Sequence, residues 1–228
     1  MTLIYTWPKL FRLFAVLAGV CLASACTVTY QFAPIEAWVV DAETGKPIEG
    51  AVVTANWELV KGSFDGPRYY GQLEVTETIT DANGRFAFDG FSKEDSSGAE
   101  LRESDPQVIV FKAGYEYQRF TNDYRDGGAG MTRQYRTAAV NGKIVKLKRF
   151  LLEPRPIYGV YFGLDTRLEK LVNDCYWKKI PIAIDAMDKE DKAMRARKIS
   201  TSLIAMHHLE SIEKKCGSPK ELLAKGSK

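Results

Sequence analysis

The side chains that could do chemistry in this chain are few and badly placed for it. His207 and His208 are the whole imidazole supply of its 228 residues. Neighbouring helical positions diverge by about 100°, so the two cannot grip one metal from a single face, as a zinc site requires. A half-buried helical position accounts for them. The carboxylate pairs Asp185 with Asp188, and Glu190 with Asp191, fall in a charged helical stretch where solvation is the ordinary role. There is no GxSxG elbow, HExxH helix or phosphate-binding glycine loop. Gly127-Gly128-Ala129-Gly130 reads as a hinge, because no strand pattern runs into it and no helix pattern leaves it. The sequence therefore assigns no catalytic residue, no metal and no cofactor.

Cysteine carries more information. Lys9 and Arg12 precede an apolar run over residues 13–22, followed by Ala23-Ser24-Ala25, the small residues a signal peptidase reads. Residues 1–25 are an expected export signal, since the apolar run is shorter than the roughly 20 residues of a spanning helix. The junction Leu22-Ala23-Ser24-Ala25-Cys26 resembles a bacterial lipobox, departing from it at Ala23, where leucine is usual. The resemblance implies lipidation of Cys26 and a membrane anchor in a bacterial cell envelope. Thr27 after that cysteine, rather than Asp, implies the periplasmic face of the outer membrane under Gram-negative sorting. Cleavage without lipidation, giving a secreted or periplasmic soluble protein, is the alternative.

Of four cysteines, Cys21 leaves with the signal, so three enter an oxidising compartment. Lipidation of Cys26 removes the odd thiol and leaves Cys175 and Cys216 to form a disulfide. Two buried free thiols are the other reading.

Charge gives no electrostatic footprint for nucleic acid, and no nucleic-acid partner is expected. Loss of Lys9 and Arg12 with the signal leaves 30 of 32 basic residues against 29 acidic ones, close to balance, whereas nucleic-acid binders show a clustered basic surface. Lys143, Lys146, Lys148 and Arg149 do cluster, but Ile144, Val145 and Leu147 interleave with them. That pattern is the solvated face of an edge strand, where lysines discourage stray pairing.

The elements that must position these residues are strands in the middle of the chain. Thr44-Gly45-Lys46-Pro47 sets a residue tolerant of positive φ beside one with φ fixed, which predicts a hairpin turn between strands over residues 37–41 and 51–57. Residues 77–80 lead into Asp81-Ala82-Asn83-Gly84, another turn, and then into Arg85-Phe86-Ala87-Phe88, whose alternation gives one apolar face.

The runs TGKPIEGAVV, TDANGRFAF and PQVIVFKAGYE together resemble the carboxypeptidase regulatory-like domain, a small β-sandwich of the transthyretin (prealbumin) type. The resemblance covers residues 34–150, with residues 142–147 as the closing strand. It implies an antiparallel transthyretin-like sandwich of about seven strands. It says little about activity, because such domains are accessory modules of many proteins and a fold does not determine a function. Hydroxyisourate hydrolases and intradiol dioxygenases share a similar sandwich but use histidines of the β domain, and residues 34–150 contain none. Two stretches exceed a minimal module, residues 61–72 and 121–136, both rich in Gly, Tyr and Arg.

After Phe150 the periodicity changes. Leu151-Leu152-Glu153-Pro154-Arg155-Pro156 reads as an extended linker. Beyond it Leu164, Leu168, Leu171, Val172 and Cys175 share one helical face, and Ile199, Leu203, Met206, Leu209 and Ile212 another. A break over residues 177–180, a middle helix over 181–197 and a last long helix ending before Gly217-Ser218-Pro219 are expected. The fold class is thus α+β, a sandwich followed by a C-terminal helical hairpin or bundle. The domain reading is a signal over 1–25, linkers over 26–33 and 151–163, the sandwich over 34–150 and a helical tail over 164–228. A Cys175–Cys216 bond would staple the tail's beginning to its end, as so small a core needs.

Aromatic side chains with polar edges suit interfaces and sugar faces. Trp57, Tyr69, Tyr70, Tyr124 and Tyr135, in or near the two inserts, are the expected binding residues, although about half the aromatics of these regions would complete the core. The expected function is a non-enzymatic envelope lipoprotein with a binding or structural role, its partners the membrane through Cys26 and an envelope protein or glycan. An accessory subunit of a secreted enzyme or export machine, and an atypical hydrolase, are the alternatives.

Overall fold

The computed structural model describes residues 27–122, 135–136, 138–151 and 161–221. The expected signal, Cys26, Tyr124 and the glycine hinge lie outside them. Among the described residues there are eleven strands: β1 (Val28–Phe32), β2 (Ile35–Asp41), β3 (Val52–Lys61), β4 (Arg68–Ile79), β5 (Arg85–Phe88), β6 (Phe91–Asp95), β7 (Glu100–Leu101), β8 (Gln107–Phe111), β9 (Gln118–Phe120), β10 (Tyr135–Arg136) and β11 (Ile144–Leu147).

They form a five-stranded sheet, β4-β3-β8-β9 with β7 on β3, and two three-stranded sheets, β11-β2-β5 and β10-β1-β6. Pairing is mainly antiparallel, but β11 runs parallel to β2 and β10 parallel to β1, so the expected all-antiparallel sandwich is corrected at two edges. Residues 28–32, expected as linker, are β1; the alternating burial of Tyr30 and Phe32 adds them to the core.

The fold has three layers, the two of the sandwich and the helical tail packed on the large sheet. One core lies between the small sheets and the large one, with Ile35, Ala37, Val39, Phe86 and Phe88 facing Val53, Ala55, Trp57, Val108 and Val110. The reverse face of the large sheet presents Val52, Val75, Ile109 and Phe111 to a second core shared with the helices. This explains why all five residues of β8 are buried: a strand covered on both faces carries an unbroken apolar run.

The two glycine turns exist, but neither makes a hairpin. β2 pairs with β11 and β5, and β3 with β4, β7 and β8, so each turn arches from one sheet to another. The first folds back on its own strand: Asp41 N–H donates to Lys46 O at 2.9 Å and Ile48 N–H to Val39 O at 2.9 Å. The Asp41 carboxylate accepts Thr44 N–H at 2.9 Å, Tyr115 hydroxyl at 2.9 Å and Arg149 Nε at 3.0 Å. Thr80 ties the arches together, donating its hydroxyl to Ile48 O at 2.6 Å and accepting Ala51 N–H at 2.8 Å. Gly84 is obligatory: φ is +73° and a Cβ there would stand 2.3 Å from Val39 O. The first expected insert is an extension of β3 and β4 beyond the sandwich, bulged at Trp57/Glu58 and Leu59/Val60.

The tail comprises α1 (Leu164–Asn173), a 3₁₀ turn (Tyr176–Lys179), α2 (Pro181–Ala196), α3 (Met206–Glu210) and α4 (Glu213–Cys216). Leu164, Leu168, Leu171 and Val172 are buried on one face of α1, and Pro181 opens α2, as the spacing predicts. The expected last long helix is corrected to two short ones, because residues 199–205 are not helical. Lys198 turns at φ 58° and Ala205 is extended, while the hydroxyls of Ser200-Thr201-Ser202 compete with helical hydrogen bonds. Cys175 and Cys216 form a disulfide, with Cα atoms 5.3 Å apart.

The carboxylates expected to be solvated hold the tail in place. Asp188, Glu190 and Asp191 are buried. Asp188 accepts Met206 N–H at 2.9 Å and pairs with Lys192 at 2.5 Å. Asp191 accepts the Thr201 hydroxyl and pairs with Arg195 at 2.6 Å. Glu190 accepts the Tyr161 hydroxyl at 2.7 Å and Gly114 N–H at 3.0 Å, bonding helix to sheet connection. Only Asp185 keeps the expected surface role, paired with Lys189 at 2.6 Å. Their burial comes from segments distant in sequence, which a helical charge pattern does not show.

From the sandwich side, Glu77 supplies the cap that α2 lacks, its two oxygens accepting Ile182 and Ala183 N–H at 2.8 Å each. Burial raises the Glu77 carboxyl above its ordinary value against those two bonds. Burial would raise Glu74 too, but Lys179 and Lys93 outweigh it and bring that carboxyl down to about 2.

Candidate functional site

The expected aromatic set divides. Trp57 is a core residue, 1% exposed, its ring 5.2 Å from Phe32 and 5.0 Å from Phe91, and it leaves the set of surface candidates. Its position on the inward face of β3, alternating with Asn56 and Glu58, is the physical reason. Tyr69 is half-buried at the seam between sheet and tail, with Lys170 Nζ 4.7 Å above its ring. Burial, then Asp174, raises its hydroxyl above the ordinary phenol value. Tyr70 is exposed, with Lys61 Nζ 3.8 Å from its ring centroid. The backbone of Tyr135 pairs with Gln31 in β1.

What the structure adds is the tip of the β3–β4 hairpin, where Phe64 is fully exposed. The tip is held by its own side chains. Ser63 and Gly66 exchange N–H···O bonds of 3.1 Å, and the Ser63 hydroxyl donates to Gly66 O at 2.8 Å and to Asp65. Arg68 pairs with Asp65 at 2.7 Å. Arg68, then Ser63, hold the Asp65 carboxyl down at about 2. Phe64 and Tyr70 are thus presented beside Lys61 and Arg68 on an ordered turn, so a partner would bind without first ordering it.

A second feature is a polar cleft of about 110 Å³ between the hairpin side of the large sheet and α1. Glu58 lies at its floor, paired with Arg102 at 2.5 Å and Lys170 at 3.4 Å. Its backbone N–H donates to Asp105. Arg119 of β9 and Arg167 of α1 enter from opposite walls, and the Ser104 and Thr166 side chains line the space between. Burial, then the charge of Arg167, lowers the Arg119 guanidinium from its ordinary value. The four cations outnumber the carboxylates Glu58 and Asp105.

The histidines are exposed rather than half-buried, because α3 is too short to turn them under the tail. His208 Nδ1 accepts Ala205 N–H at 3.2 Å, and the two rings lie 3.9 Å apart. Among the described residues no three His, Cys, Asp or Glu side chains are gathered to hold a metal. None of the described helices is long and apolar enough to cross a membrane.

No family model matches the chain, and no curated protein matches it. Solved structures similar to parts of it include a streptococcal ancillary pilin, at 16% identity and a TM-score of 0.26, over 52% of this chain and 29% of that one. The C-terminal domain of a shaft pilin from Lactobacillus rhamnosus GG aligns at 12% identity and a TM-score of 0.24, over 54% of this chain and 99% of that one. A 9R-lipoxygenase from Cyanothece aligns at 12% identity and a TM-score of 0.24, over 74% of this chain and 25% of that one. The chain spans under a third of the ancillary pilin and of the lipoxygenase. Likenesses at these scores carry no argument about activity.

Proposed function

We propose that this chain is a non-enzymatic protein of the bacterial cell envelope, held to the membrane by a lipid on Cys26, that binds another envelope protein or a glycan. Its sandwich belongs to the carboxypeptidase regulatory-like, transthyretin-like type; the two glycine arches and the obligatory Gly84 fall in the runs that carry the resemblance. The observation that carries the reading is the β3–β4 tip, an ordered turn projecting Phe64 and Tyr70 into solvent. A large exposed aromatic on a pre-ordered turn is what an interface hot spot requires. The buried carboxylates of α2 support the same reading, since Asp188, Glu190 and Asp191 each accept hydrogen bonds that seat the tail.

The test is photocrosslinking in the intact envelope. A photoreactive residue in place of Phe64 is expected to give one discrete adduct, reduced by Tyr70→Ala, while the same residue at the exposed Lys46 gives none. Equal adducts at both positions, or none at Phe64, would reject the tip as the contact surface. Recovery of a catalytic protein in the adduct would instead identify an accessory subunit. The anchor is tested separately, by mass spectrometry for a diacylglyceryl group on Cys26.

A further inference from the structure

A line of polar side chains crosses the face of the large sheet that is otherwise packed against helices. Arg119 Nη1 donates to Gln107 Oε1 at 3.1 Å, Gln107 Nε2 to Asn56 Oδ1 at 3.3 Å, and Asn56 Nδ2 to Gln72 Oε1 at 3.2 Å. Gln72 Nε2 then reaches the Tyr69 hydroxyl at 3.5 Å. Asn56, Gln72 and Gln107 are buried, at 2%, 7% and 9% exposure. Buried amides need partners, and along this relay each oxygen accepts from one neighbour while its nitrogen donates to the next. All the donors point the same way, so the relay ends in an acceptor that fixes one edge of the Arg119 guanidinium.

That acceptor is neutral, and it leaves the charge of Arg119 uncompensated. Arg102 and Lys170 share Glu58. Among the described residues, Arg119 and Arg167 have no carboxylate at ion-pair distance, although both line the same cleft. Both arginines are open to solvent, and a cleft lined by like charges concentrates counter-ions between them. The arginine fork suits an oxyanion, which it can meet with two parallel N–H···O bonds. The space of about 110 Å³ is well below the roughly 300 Å³ of a pocket that encloses a whole drug-sized molecule. It takes one charged group, not an entire ligand.

We propose that Arg119 and Arg167, with the Ser104 hydroxyl beside them, form a binding site for a single carboxylate, sulfate or phosphate group. The inference deepens the reading of the chain as a binding protein but uses a surface separate from the aromatic tip. Gln107 acts as a positioning residue that aims Arg119.

The test is an NMR titration of the arginine side-chain N–H signals of the full-length protein at constant ionic strength. Sodium phosphate, sodium sulfate, galacturonate and polygalacturonate serve as probes. Saturable shifts are expected at Arg119 and Arg167 but not at Arg85, which is paired with Glu36 elsewhere on the surface. Arg119→Gln and Arg167→Gln should each weaken binding at least about tenfold, the loss of one charge-assisted bond. Tightest binding of inorganic phosphate or sulfate would identify a free ion, and preference for polygalacturonate over its monomer a group carried on a polymer. Non-saturating shifts shared with Arg85, or unchanged affinity in both variants, would overturn the site. Arg167 is exposed on α1, so its variant keeps the fold and decides the question even where Arg119→Gln loosens β9. Phe64→Ala should leave the titration unchanged, which separates failure of this site from failure of the tip.

Discussion

The bond between Cys175 and Cys216 closes a loop with a sequence separation of 41. In the loop-entropy model a closure of that size is worth about 4 kcal/mol at 25 °C. The tail's core is shared with Val52, Val75, Ile109 and Phe111 of the sheet, so the loss should fall on the whole molecule. For a urea dependence near 2 kcal/mol per molar, the double variant Cys175→Ser, Cys216→Ser should lower the unfolding midpoint by about 2 M. The assay is equilibrium urea unfolding followed in parallel by far-UV circular dichroism and tryptophan fluorescence, because Trp57 lies in one core and Trp177 in the other. The prediction is one transition, displaced equally by both probes. A midpoint shift under about 0.5 M, or an early step that removes helical signal while the strand signal persists, would refute the reasoning.

Other outcomes follow from single contacts. Glu77→Ala removes both acceptors at the start of α2 and should cost about 1–2 kcal/mol in urea unfolding, with Glu77→Gln losing less because one acceptor remains. Gly84→Ala meets both a left-handed backbone and a carbonyl oxygen, so it should lower stability by at least about 2 kcal/mol, seen as a reduced melting temperature. Asp65 is depressed to about 2 by Arg68 and Ser63. The hairpin-tip order it gives is therefore complete above the ordinary carboxylate range and lost as pH falls through about 2. Amide shifts of Ser63 and Gly66 should titrate there, and a midpoint near 4 would contradict the pairing.

Much of the fold was legible where local chemistry decides it. The burial of Phe86 and Phe88 followed from alternation, the α1 face from its leucines, the start of α2 from Pro181, and the disulfide from cysteine arithmetic. Pairing partners were not legible. A Thr-Gly-Lys-Pro turn fixes a reversal of the chain without saying which sheet receives the next strand, so two arches read as hairpins. Burial caused by distant segments was equally hidden. Asp188 and Asp191 read as solvated until residues 201–206 close over them, and Trp57 read as surface until β1 and β6 are brought against it. The cleft joins Arg119 to Arg167 across separate elements, and no local pattern links them. A usable signal did exist in Asn56, an amide that interrupts the run Val52 to Trp57 of β3, and in Gln107, which opens the otherwise apolar β8.

The account depends on sandwich and tail forming one body, since the cleft has walls from both. Deleting residues 164–228 would strip α1 to α4 from Val52, Val75, Ile109 and Phe111 and remove Arg167 and Lys170 from the cleft. Size-exclusion chromatography with a hydrophobic dye should find the remainder aggregated or strongly dye-binding. A soluble monomer that unfolds at the same midpoint as the intact protein would contradict the claim.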